Sequence, residues 1–157
     1  MQIRNVTADD YGVISPLIND WWGGRTMAAM LPKLFFIHFR ETSFVAEENG
    51  KIIGFLIAFY SQTYNDEAYV HFVGVDPAYR RKDIARKLYG EFFNVVKQSG
   101  RSIVRAVTSP INKTSIDFHT KIGFNFDHGD KVINGVPVVT NYDGKGQERV
   151  LFIKHVK

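Results

Sequence analysis

The 157-residue chain predicts an α/β domain with a mostly antiparallel sheet and one parallel strand pair at its centre. Three observations carry that class. A β-rich run folds about "EENGK", where Asn49-Gly50 supplies the positive φ angles of a tight hairpin turn. "EAYVHFVGV" (67–75) continues the meander and delivers a turn and a helix. "RSIVRAVTS" (101–109) follows that helix and so lies parallel to the strand before it, through a right-handed crossover.

Taken in order, "MQIRNVT" alternates as a first strand, and Thr7 or Asp9 is the expected N-cap of a helix over "YGVISPLINDWW", with Pro16 a potential kink. "RTMAAMLPKLFFIHFRET" (25–42) reads as a second helix, with Pro32 early in it. The hairpin occupies 43–62, and 67–75 is the fourth strand, where Gly74 marks a bulge or a close backbone approach. From Ile84 to Gly100, apolar Ile84, Leu88, Phe92, Val95 and Val96 recur at helical spacing, with Gly100 suited to end the helix. "NKTSIDFHTKIG" is a short helix ended by Gly123. "FNFDHGDKVI", "GVPVVTNY" and "ERVLFIK", with "DGKG" as a turn, read as a closing antiparallel pair.

No repeat, low-complexity tract or linker divides residues 1–157, so one domain is expected. Hydrophobic residues make up 45% of the chain, enough for a sizeable core, and cysteine is absent. Disulfides, thiolate metal sites and a cysteine nucleophile are therefore excluded, and no metal is expected. "MQIRNVTADD" lacks the apolar region of a secretory signal and no apolar run approaches the ~20 residues of a membrane span, so a cytoplasmic protein without a membrane partner is expected. The net charge is +4, but acidic residues are interspersed with basic ones, so no nucleic-acid partner is expected.

The segment "VDPAYRRKDIARKLY" (75–89) joins a strand end, a turn crowded with Arg80, Arg81 and Lys82, and a helix start. Backbone N–H groups and the positive helix end make such a turn an anion site. G-x-G-x-x-G and the P-loop pattern are both missing. The segment resembles the acyl-CoA-binding motif of the GNAT superfamily of N-acetyltransferases, R/Q-x-x-G-x-G/A after V-x-P, with Val75, Pro77, Arg80, Ile84, Ala85 and Leu88 in the family's places. Downstream, "NKTSIDFHTKIGF" resembles the family's N-x(6)-Y-x(3)-G-F, with Asn112, Gly123 and Phe124 in position. The resemblance is strongest over residues 67–124.

The resemblance implies the GNAT fold: a mixed, mostly antiparallel sheet with a splayed parallel pair and helices on both faces. It implies acetyl-CoA as cosubstrate, its pyrophosphate over the loop from Arg81 to Arg86 (Arg81, Lys82, Asp83, Ile84, Ala85, Arg86), with Arg80, Arg81 and Lys82 adding positive field. The backbone of Val73, Gly74 and Val75 would pair with the pantetheine arm, which Asn112 would also contact. The implied reaction is direct attack of an amine on the acetyl carbonyl, with a small-molecule amine as the leading acceptor. A protein amine, or acyl-CoA binding without turnover, are the alternatives; a homodimer is compatible with all three.

Two positions depart from the pattern. Asp83 replaces a glycine and is expected to serve as a helix N-cap. His119 replaces the family tyrosine that protonates the departing thiolate, a task within reach of an imidazole. The family's fifth-strand glutamate is Val107 here, so Glu67 and His71, which share a face of the fourth strand with Tyr69, are the candidate bases.

Overall fold

The computed structural model describes residues 1–80 and 82–157. Its strands are β1 (Gln2–Asn5), β2 (Phe44–Glu48), β3 (Lys51–Tyr60), β4 (Glu67–Val75), β5 (Ile103–Thr108), β6 (Asn125–Phe126), β7 (Lys131–Ile133), β8 (Val136–Val138) and β9 (Val150–His155). The helices are α1 (Asp10–Trp21), α2 (Leu34–His38), α3 (Ile84–Gln98) and α4 (Lys113–Lys121). Seven strands form one sheet in the order β1-β2-β3-β4-β5-β9-β6, with β4 and β5 parallel. Among the described residues, no helix is long and apolar enough to cross a membrane.

The sheet separates two cores. Leu56, Ala58, Ala68 and Val70 pack with Ile84, Leu88, Tyr89, Phe92 and Val96 of α3 on one face. Phe55, Ile57 and Phe72 pack with Ile14, Ile18 and Trp21 of α1 on the other. Each large apolar side chain so buried contributes about 1.5–3 kcal/mol. Alternation along strands buried on both faces thus explains why β3 reads as a nearly continuous apolar run.

Local chemistry sets most boundaries. Asn49 and Gly50 have φ of 53° and 78°, as the tight turn between β2 and β3 requires. α1 continues through Pro16 to Trp21, and neither Thr7 nor Asp9 supplies a side-chain cap. Instead buried Asp10 accepts the Thr7 N–H at 2.7 Å and a two-pronged contact from Arg4, both prongs at 2.9 Å. Burial alone would raise the Asp10 carboxyl, but these donors hold it below its ordinary value.

The expected long second helix is not formed. Residues 25–42 break into a single turn at Ala28–Met30, the five-residue α2, and another turn at Arg40–Thr42. Pro32 offers no N–H and pushes Leu31 out of the helical region, to φ −130° and ψ 74°. The closing segment also differs. β9 inserts between β5 and β6, while β7 and β8 form a separate hairpin about Asn134-Gly135, whose φ values are 51° and 79°.

Candidate active site

β4 pairs with β5 only from Glu67 to Val70, the last partners being Val70 and Ala106. Beyond that point β5 keeps its register with β9 through Thr108, while the β5-facing edge of β4 from His71 to Val75 has no strand partner among the described residues. The parallel pair is therefore splayed.

At the same point β4 bulges. Ile57 of β3 opposes Phe72 while Ala58 opposes Val70, so His71 is an extra residue on β4. The bulge reverses which face each later residue takes. Val70 packs on the α3 side, but Phe72 packs on the α1 side. Simple alternation of period two therefore stops at His71, and no sequence signal marks the break.

His71 is oriented from α2 and the turn before it. Its Nε2 lies 2.6 Å from the Met30 carbonyl oxygen, which only accepts, so Nε2 carries the proton and Nδ1 is left basic. Phe35 stacks on the ring at 4.4 Å and 5°. Glu67 stands differently: its carboxylate accepts from Arg105 at 2.7 Å, and Arg105 also donates to Asp127 at 2.6 Å. It lies at the paired end of β4, four residues or about 13 Å from His71 at strand rise. Held in this ion triad, Glu67 is not grouped with the splay. Tyr69 stacks on Phe59 at 5.3 Å, and burial, aided by nearby Tyr142 and Asp143, pushes its hydroxyl up to about 12.

Gly74 is a close-approach position. A Cβ there would lie 2.6 Å from Trp22 and 2.7 Å from Phe55, so only glycine lets α1 and the splayed strand meet. Trp21 is buried and Trp22 packs edge-on against Phe72 at 4.8 Å, so the tryptophan pair is structural.

The turn before α3 gives a correction. Asp83 is the residue before the helix, but its side chain makes no cap; it sits in the left-handed region, φ 57° and ψ 24°, and its carbonyl accepts from Lys87 N–H at 3.0 Å. A left-handed residue explains the family's glycine, and aspartate is among the few others that tolerate it. Without a side-chain cap, the N–H groups of Ile84, Ala85 and Arg86 meet no acceptor among the described residues, and they point where an anion would bind.

The cations of the turn are differently employed. Arg80 donates to the Trp21 carbonyl oxygen at 2.8 Å, closing the end of α1, so its guanidinium is tied to α1 rather than left to the turn. Lys82 lies over Tyr79, 5.2 Å from the ring centre, and Arg86 is exposed. Arg81 lies outside the described residues. Asn112 caps α4, its side-chain oxygen accepting the Ser115 N–H at 3.1 Å, which leaves its NH₂ for a ligand.

His119 is enclosed rather than presented. Its Nδ1–H donates to the Ser115 carbonyl at 2.7 Å, and its Nε2 accepts from buried Tyr89 O–H at 2.6 Å. Phe152 stacks on it at 4.8 Å, with Phe118 and Phe124 edge-on. Burial holds the imidazole below its ordinary pKa and raises the Tyr89 hydroxyl. A neutral ring with both nitrogens engaged is a poor proton donor to an outside group.

Comparison with known proteins places this geometry. The model of the acetyltransferase (GNAT) family matches residues 9–124. The L-2,4-diaminobutyric acid acetyltransferase of Halalkalibacterium halodurans is 33% identical over 90 residues, 57% of this chain and 48% of that protein. The chain spans 48% and 59% of the length of the curated relatives it matches. A crystal structure from Desulfovibrio desulfuricans, assigned to the GNAT family of acetyltransferases, superposes with a TM-score of 0.82 at 17% identity, covering 99% of both chains. The diaminobutyrate acetyltransferase of Paenibacillus lautus, solved with L-2,4-diaminobutyric acid and coenzyme A, gives 0.72 at 21% identity, covering 99% of this chain and 95% of that one. With the splay and the turn before α3 in the places its motifs predict, the chain belongs to the acetyltransferase (GNAT) family.

Proposed function

We propose that the chain is an acetyl-CoA-dependent N-acetyltransferase acting on a primary amine of a small molecule by direct attack. The observation that carries this reading is His71. It occupies the bulge where β4 leaves β5, with Nε2–H fixed on Met30 and Nδ1 without a partner among the described residues.

The residues present fit the cosubstrate. The N–H groups of Ile84, Ala85 and Arg86 and the positive end of α3 suit a pyrophosphate, with Lys82 and Arg86 adding charge. The open edge at Val73, Gly74 and Val75 and the NH₂ of Asn112 suit the amides of a pantetheine arm. Acetyl-CoA, when bound, supplies the activated acetyl group.

The chain's own part is positioning and proton transfer. An ammonium ion has no lone pair, so His71 Nδ1 takes the proton, directly or through a water. N–H groups of the free β4 edge face the side where negative charge develops. A thiol has an ordinary pKa of about 8.5, so a thiolate leaves without an obligatory acid. In this reading His119 holds α4 against α3 and transfers no proton. The diaminobutyrate acetyltransferase among the relatives supports a small amine as the acceptor.

Binding without turnover is the second reading, favoured by the burial of His119 at the tyrosine position. Thiol release from acetyl-CoA with a panel of small amines separates the two. Amine-dependent release supports transfer; CoA binding with no release on any amine supports the alternative.

A further inference from the structure

We propose that a cleft at the opposite end of β4 from the α3 turn is a second ligand site, for a small metabolite bearing a carboxylate or a phosphate. This goes beyond acetyl transfer and does not rest on it. The cleft has a volume of about 680 Å³ and is lined by residues 37–42, by Tyr60, Gln62 and Asn65, and by Arg101. That volume falls within the range of small-molecule sites.

Two arginines give it its chemistry. Arg40 Nε donates to the Val6 carbonyl and Arg101 Nε to the Glu67 carbonyl, each at 3.2 Å. The Arg101 guanidinium also lies over Tyr60, its carbon 4.2 Å from the ring centre. Each cation is thus anchored by its Nε to main chain, and among the described residues its Nη groups meet no acceptor. Anchoring removes rotamer entropy before a ligand arrives, and a guanidinium fork matches a carboxylate or phosphate with two parallel bonds. The amides of Gln62 and Asn65 add donors, and Glu41 is the one carboxylate in the lining.

Placement argues against an extension of the CoA site. Arg101 is bonded to Glu67, and the α3 turn follows Val75, eight residues and about 26 Å further along the strand. Two arginines in the lining of one cleft suit a compact oxyanion, whereas a nucleic acid or an anionic membrane needs a broader basic surface.

The test uses the full chain in low-salt, non-anionic buffer, with ¹⁵N-correlated NMR spectra recorded during separate titrations with citrate and inorganic phosphate. Saturable shifts of the Tyr60, Gln62, Asn65 and Arg101 amides are expected, with affinity falling about tenfold or more in R40Q/R101Q. If that double variant does not fold, R101Q alone carries the comparison. The stronger of the two ligands identifies the oxyanion as carboxylate or phosphate. Shifts confined to residues 82–86, shifts unaltered by R40Q/R101Q, or a response only to a short DNA duplex or to anionic vesicles would each overturn the proposal.

Discussion

His71 donates its Nε2–H to the carbonyl oxygen of Met30, 2.6 Å away, so the turn preceding α2 fixes the tautomer of the residue at the β4 bulge. One main-chain bond therefore decides which nitrogen is basic and where it sits relative to the splay.

We predict that His71→Ala lowers turnover by about 10²–10⁴-fold, the usual contribution of a positioned base, with CoA affinity little changed. Phe35→Leu, which removes the stack at 4.4 Å, should give a smaller loss of the same kind. Steady-state kinetics with calorimetric CoA titration checks both. A fall in CoA affinity that matches the fall in turnover would place His71 in binding instead.

Asp83 stands in left-handed backbone without capping. Asp83→Gly should therefore keep or slightly raise the melting temperature and keep or tighten CoA binding, since it relieves strain and removes a carboxylate beside the turn. Asp83→Val should cost about 1–2 kcal/mol, the penalty of a branched residue in that region. Thermal melts and calorimetry on the two variants decide; a large loss of affinity in Asp83→Gly would make the carboxylate a ligand.

Gly74→Ala places a methyl group 2.6 Å from Trp22 and 2.7 Å from Phe55. Overpacking of this kind costs about 1–3 kcal/mol, and here it should also displace the free edge of β4 and weaken CoA binding. Denaturant unfolding and calorimetry measure the two effects. An unaltered stability would show that α1 yields freely at this contact.

His119 gives a pH dependence of definite sign. Burial lowers its pKa, opposed less strongly by the Ser115 carbonyl. Between that lowered value and about 6.5 the unfolded chain binds more protons than the native one, so stability present above about pH 6.5 is lost as pH falls. His119→Gln keeps an acceptor for Tyr89 and should flatten the slope by up to about 1.4 kcal/mol per pH unit. Urea unfolding from pH 7 to pH 5 tests this, and identical slopes would refute it.

The sequence reading reaches furthest where local chemistry decides structure. The hairpin at Asn49-Gly50, the β4–α3–β5 crossover and the helical spacing from Ile84 to Val96 all appear as expected. The β7–β8 hairpin about Asn134-Gly135 uses the same turn chemistry, but its strands are only three residues long, too short for alternation to separate them from their neighbours. The long helix over 25–42 failed because Pro32 ends it and because Phe35 and Phe39 serve distant rings. Distant partners also hid the site details. Arg105 claims Glu67, Trp21 claims Arg80, and Phe152 with Tyr89 encloses His119. The bulge at His71 depends on registry with β3, which alternation within one strand does not encode.

Acetyl-CoA is the ligand proposed for the splay of β4 and the turn before α3. The most direct measurement is a calorimetric titration of the purified chain with acetyl-CoA. Saturable one-to-one binding in the micromolar range is the predicted result. Absence of binding at millimolar acetyl-CoA would overturn that assignment, since the first amides of α3 and the open edge of β4 would then have no such ligand.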